Sequence, residues 1–206
     1  MKENTGGGDK CTQTGAGQTN FADRHGRKRA QVRRARGTRF ARRINPRAGG
    51  CAIPGHWKGD LIGGTKNSHI ATLAGRHSRF TALVKVRSKD TAAVVAALSR
   101  QIHRLPISLR RSLTWDRGLE MAKHKTFTVA TNVKVYFCDP HSSWQRGTNE
   151  NTNRLLRQYL PKRTDLSGYT QSQPVKIALR LNQRPRKTLG FQTPASKLRA
   201  SIAPTL

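Results

Sequence analysis

At 206 residues the chain has room for one domain with an appendage. Forty Lys and Arg against ten Asp and Glu give a formal charge of +30 and a pI near 11.7, a field that gathers polyanions, of which DNA and RNA are the commonest large ones. No apolar run is long enough to span a bilayer, no amphipathic basic helix is shaped to lie on one, and the N-terminus lacks the apolar stretch of a secretory signal, so no membrane partner is expected. Cys11, Cys51 and Cys138 are far apart and form no C-x-x-C pair, which argues against a disulfide framework or a zinc knuckle and fits a reducing cytosol.

Residues 1–54 read as a disordered basic segment and linker. "ENTGGGDKCTQTGAGQTN" is polar, Gly-rich and too poor in large apolar side chains to offset chain entropy. "RHGRKRAQVRRARGTRFARR" follows as a solvated basic tail suited to nonspecific phosphate binding, and "NPRAGG" as a linker. Residues 55–200 are expected to form the globular core, and 201–206 a tail. "HWKGDLIGG" reads as a strand ending in glycines, and "HIATLAGRHSRFTALVKVRS" as two strands joined by a tight turn near His77 and Ser78. Asp90 is placed to cap a helix whose Val94, Val95, Leu98, Ile102 and Leu105 recur at helical spacing until Pro106. "RSLTWD" is a short strand ending on Asp116, "GLEMAKHKTFTVATN" a helix and "VKVYFC" a strand. Helices are then expected from about Gln145 to Tyr159 and from Gln173 to Asn182. The order β, β, β, α, β, α, β, α, α describes a mixed sheet with helices packed on it, an α/β class.

Seven acids fall in the globular part, and four have ordinary explanations. Asp90 is a cap, Asp139 a turn residue before Pro140, Asp165 a loop or cap residue, and Glu120 a helical partner for Lys123 or His124. Asp60, Asp116 and Glu150 are harder to dismiss. Asp60 sits inside an apolar strand, where Asp is disfavoured. Asp116 ends a strand, where α/β sheets carry functional groups. Glu150 lies opposite the Leu155, Leu156, Tyr159 and Leu160 stripe, near Arg154 and Arg157; the plain alternative is an i,i+4 pair with Arg154. Phosphodiester chemistry gives such acids a purpose. Two magnesium ions about 3.5–4 Å apart activate the attacking oxygen and stabilise the leaving one, and magnesium takes carboxylate and water oxygens.

"GHWKGDLI", "SLTWDRGLEMAKHKTF", "VYFCDPHSSWQRGTNENTNRLLRQYLPKRTDLS" and "LNQRPRKTLGFQTPASKL" together resemble the catalytic core of transposases of the insertion-sequence 30 family, over about residues 55–198. The resemblance implies a ribonuclease H-like fold and a D-D-E triad of Asp60, Asp116 and Glu150. That triad would be both catalytic and the ligand set for two magnesium or manganese ions, with Asp60 bridging them. Thirty-three residues separate Asp116 from Glu150, a spacing typical of such enzymes. It implies DNA partners, both transposon ends and target, and a homo-oligomer that pairs two ends, associated with the bacterial nucleoid. Trp144, Gln145, Arg146, Gly147 and Asn149 are expected to line the site or contact DNA. Arg154, Arg157, Arg184, Arg186 and Lys187 are expected to take phosphates.

Two departures from the family pattern shape the alternatives. Lys58 stands where the family carries an acid just before the Gly-Asp of the first motif, on the same strand face as Asp60. The family's N-terminal helix-turn-helix segments have no counterpart in residues 1–50. The expected function is metal-dependent end cleavage and strand transfer. The alternatives are a truncated, inactive remnant that only binds DNA, and a basic RNA-binding protein.

Overall fold

The computed structural model describes residues 53–116, 119–139 and 147–202. The basic segment expected at 1–54, apart from its last two residues, lies outside them, as do Trp144, Gln145, Arg146 and most of the expected tail.

The first three strands form an antiparallel meander: β1 (His56–Gly63), β2 (His69–Gly75) and β3 (Thr81–Val86). The expected tight turn at His77–Ser78 joins β2 to β3, with Arg79 held at φ 57°. Helix α1 (Thr91–His103) then crosses to β4 (Ser112–Trp115), and α2 (His124–Thr131) leads to β5 (Lys134–Phe137). β4 runs parallel beside β1 and β5 parallel beside β4, giving the order β3-β2-β1-β4-β5. Three further helices follow: α3 (Gly147–Leu156), α4 (Ser172–Asn182) and α5 (Pro194–Ala200). This is the ribonuclease H-like mixed sheet flanked by helices that the resemblance implied.

Alternation along the strands sorts side chains onto two faces. Trp57, Ala71, Leu73, Val84, Leu113 and Trp115 pack against α1 and α2, including Val94, Leu98, Ile102 and Phe127. Full burial of each large apolar side chain there contributes about 1.5–3 kcal/mol. On the other face a smaller core joins Ile62, Ile70 and Leu83 to Leu156, Leu160, Ala178 and Leu181. β2 lies between two layers of helices, and all seven of its residues are buried.

Several local expectations are corrected. Asp90 stands at the N-cap of α1, but its carboxylate accepts the Ser88 hydroxyl at 2.6 Å and makes no capping bond. The helix expected over residues 118–132 is divided into a 3₁₀ turn (Leu119–Met121) and α2. Glu120 therefore turns away from Lys123 and His124 and pairs with Lys89 at 3.0 Å. α3 ends at Leu156, with residues 157–159 in turns before Pro161. α5 was not expected, although Thr193 caps it by accepting the Ser196 N–H and Pro194 opens it, both recognisable start signals.

The free edge of the sheet is closed by side-chain amides. Asn182 at the end of α4 accepts from Thr81 N–H and donates to Thr81 C=O, each at 2.8 Å. Gln171 just before α4 accepts from Lys85 N–H and donates to Leu83 C=O. These two residues act as a surrogate neighbour along β3, a protection an edge strand otherwise lacks.

Candidate active site

Asp60 is placed by register. β1 pairs with β4 from His56↔Ser112 to Gly59↔Trp115, after which β4 ends and β1 continues. Asp60 is thus the next residue along β1, and Asp116 follows directly on the end of the adjacent β4, near enough for its charge to act on Asp60. Gly59 allows this approach: a Cβ there would lie 2.3 Å from the Trp115 ring, so only glycine admits the indole over the β1 backbone. The Gly-Asp of one motif and the Trp-Asp of the other are two halves of one contact. On its other side Asp60 pairs with Thr72 of β2, whose hydroxyl donates to the Asp60 carbonyl at 3.2 Å.

Helix α3 approaches this end of the sheet through two asparagines one turn apart. Asn149 donates its amide to Gly59 C=O at 3.0 Å, and Asn153 donates to the Asp60 carboxylate at 2.6 Å. Asn149, Asn153, Leu156 and Leu160 form the sheet-facing stripe, polar near the site and apolar beyond it. The leucine stripe was legible in the sequence; its continuation into Asn153 and Asn149 carried the missing signal.

Burial, first, holds the Asp60 carboxyl above the usual carboxylate range. The Leu61 N–H, which donates to it at 2.8 Å, and Asn153 act in the opposite direction, and the charges of Asp116 and Glu120 push it further up. Two other acids, Asp116 and Glu120, therefore act on Asp60. Glu150 lies in the first turn of α3, solvent-exposed, a favourable place for an acid at a helix N-terminus. The alternative pairing with Arg154 does not form: Arg154 donates to Asn151 at 3.3 Å and Arg157 to Leu160 C=O at 3.4 Å. Among the described residues, no three His, Cys, Asp or Glu side chains converge closely enough to hold an ion.

Lys58 is buried on the site face, between Ala74 and Thr114 in register. His56, also on this face, bonds to the Ser112 hydroxyl at 2.7 Å; burial, with Arg76 and Arg111, lowers its pKa and favours the neutral ring. Of the residues expected to meet DNA, Arg154, Arg184 and Lys187 are exposed, and Arg157 and Arg186 are partly covered. Asn149 is buried and its amide donates to Gly59 C=O, which docks α3 on β1. Arg146 lies outside the described residues.

Comparison with known proteins places this geometry in a lineage. The Integrase core domain family matches residues 52–143. The chain is 59% identical over 151 residues to transposase InsI for insertion sequence element IS30A of Escherichia coli K12, covering 73% of this chain and 39% of that protein. It is 51% identical over 152 residues to the transposase for IS1086 of Cupriavidus metallidurans, with 73% and 45% covered. It is 36% identical over 198 residues to the transposase for IS4351 of Bacteroides fragilis, with 87% and 60% covered. The chain thus spans between 39% and 60% of the length of these relatives. With an integrase core, a ribonuclease H-like sheet and this degree of identity, the chain belongs to the IS30 family of insertion-sequence transposases.

Proposed function

We propose that the chain is a polynucleotidyl transferase acting on DNA, which cleaves transposon ends and joins them to target DNA in a metal-dependent reaction. The observation that carries this reading is the juxtaposition of Asp60 and Asp116 at the point where β4 ends, with α3 bonded directly to Asp60. The donor set fits a divalent cation: carboxylate oxygens, with Asp60 bonded to the neutral donors Leu61 N–H and Asn153. Asp60 and Asp116 would hold the metal, with Glu150 completing the set from the first turn of α3. Magnesium or manganese there would supply Lewis-acid activation of the attacking oxygen and stabilisation of the leaving one.

The protein's own groups have separate tasks. Asp60 must give up its proton to bind a cation, and its raised pKa makes that affinity increase with pH. Asn153 fixes the orientation of the Asp60 carboxylate, and Asn149 holds α3 against β1. Arg154, Arg157, Arg184 and Lys187 supply positive charge that gathers phosphates. Joining two ends requires two sites, so the active form in this reading is a multimer.

The test is strand transfer with pre-cleaved end oligonucleotides in magnesium or manganese, comparing the chain with Glu150→Gln. Joining that needs the metal and falls at least a hundredfold in the variant is expected. Equal joining by the variant, or joining in chelator, would overturn the assignment.

A further inference from the structure

A cleft of about 180 Å³ lies between α3 and the β2–β3 turn, lined among others by Arg79, Arg186, Thr188, Gly147, Asn151 and Thr152. None of its lining residues is acidic. It is smaller than the roughly 300–1,000 Å³ typical of small-molecule sites, and its chemistry of two guanidiniums, hydroxyls and an amide suits a single oxyanion.

Arg186 is held there by its surroundings. Its backbone N–H donates to Gln192 C=O, and its carbonyl accepts from Leu189 and Phe191 N–H, so the 186–192 turn fixes where the side chain starts. Its Nη2 donates to Leu181 C=O at 3.2 Å, which anchors one end of the guanidinium. Its Nε is buried without a hydrogen-bond partner, a donor left unsatisfied beside this cleft. Arg79 lines the same cleft from a backbone φ of 57°, a conformation that glycine adopts freely and arginine does not. Arg79 and Arg186, the latter with an unpaired donor, thus line one cleft that has no acidic residue in its wall. The cleft adjoins the candidate active site through α3: Asn151, next to Glu150, is turned about 100° around the helix from it.

We infer that this cleft binds one backbone phosphodiester of the DNA, held jointly by Arg186 and Arg79, and so sets where the strand lies along α3 relative to Glu150. The inference rests on the DNA reading above and adds to it a specific phosphate position. Arg79 and Arg186 share that phosphate, which separates this site from a diffuse basic surface.

Two measurements on the full chain test it. In the first, inorganic phosphate is titrated while the arginine Nε–H resonances are followed by NMR. The Arg186 resonance should shift saturably, and the phosphate concentration at half-saturation should rise at least fivefold in Arg79→Gly, a substitution that suits the local backbone. No saturable shift overturns the site. In the second, the Kd for a short duplex is measured against salt for wild type, Arg79→Gly, Arg186→Gln and the double variant. Each single variant should lower the magnitude of the log Kd against log salt slope by about 0.9, the value for one phosphate contact, and the double variant by no more than that. An unchanged slope, or twice the loss in the double variant, overturns the shared phosphate. A saturable Arg186 shift with no duplex binding would uphold the oxyanion site and sink the DNA reading instead.

Discussion

Beneath α1 and α2 the sheet presents Trp57, Ala71, Leu73, Leu113 and Trp115, and the helices answer with Val94, Leu98, Ile102 and Phe127. Beneath α3 and α4 the same strands present Lys58, Asp60, Thr72, Ser112 and Thr114, and the helices answer with Asn149, Asn153 and Asn182 beside a short run of leucines. Strand pairing is common to both faces, so the difference lies in the side chains alone. One face is held by area removed from water, which tolerates small changes of angle. The other joins a smaller apolar core of Ile62, Ile70 and Leu83 with the helix leucines to directional bonds between groups that are expensive to bury unless matched. That second face carries a carboxylate held above its usual pKa and a Thr114 hydroxyl that is buried without a partner. The comparison shows where stability has been given up, and the candidate chemistry is on that side.

The largest expected effect lies on the apolar face. Leu98 is fully buried against the sheet, and Leu98→Ala should lower unfolding free energy by about 3 kcal/mol, read by denaturant melts. A loss below about 1 kcal/mol would mean this face is less tightly packed than the structure has it. Next comes the polar face. Asn182→Ala leaves the Thr81 N–H and C=O without their amide partner and should cost about 2 kcal/mol. Because it opens the β3 edge, it should also raise aggregation, measurable by light scattering.

The smallest effect has the opposite sign. The folded-state pKa of Asp60 is raised, so the carboxyl is neutral in both folded and unfolded chains below about pH 3.9 and imposes no penalty there. As pH rises through the folded pKa, ionisation of a buried carboxyl, with Asp116 and Glu120 nearby, removes stability. Asp60→Asn should therefore stabilise the protein by about 1 kcal/mol at pH 7.5 while abolishing strand transfer, and its advantage should shrink toward pH 4. A variant less stable than wild type at pH 7.5 would show that the Asn153 bond outweighs the burial of the charge. Adding magnesium should narrow the gap by stabilising only the wild type.

Much of the fold was legible because it depends on local pattern. Phe80, Ala82, Val84 and Val86 alternate, and Val94, Leu98 and Ile102 recur at helical spacing, whatever lies opposite them. Two misreadings of segments had local causes as well. The 118–132 stretch has helical composition throughout but turns at residues 122 and 123, and α5 is only seven residues long, with a Thr-Pro start as its one local mark. The candidate site was half legible. Asp60 and Asp116 stood out as acids in or at the end of apolar strands, and Asp116 does act on Asp60. Glu120 was given a helical neighbour as its partner, because nothing in the sequence showed that the helix would break and send it to Lys89.

The sequence by itself determined the order of the five strands and of the helices between them, the excess of positive charge and the identity of three conspicuous acids. These follow from periodicity, composition and the misfit of a carboxylate in an apolar run, all of which are properties of neighbours along the chain. Only the tertiary structure decided that Gly59 is glycine because Trp115 lies against it, that Asn153 rather than an arginine meets Asp60, and that Asn182 closes the edge at Thr81. Each is a contact between residues more than fifty positions apart. Steric overlap and hydrogen-bond direction between such distant groups exist only once strand register and helix docking have brought them within a few ångströms.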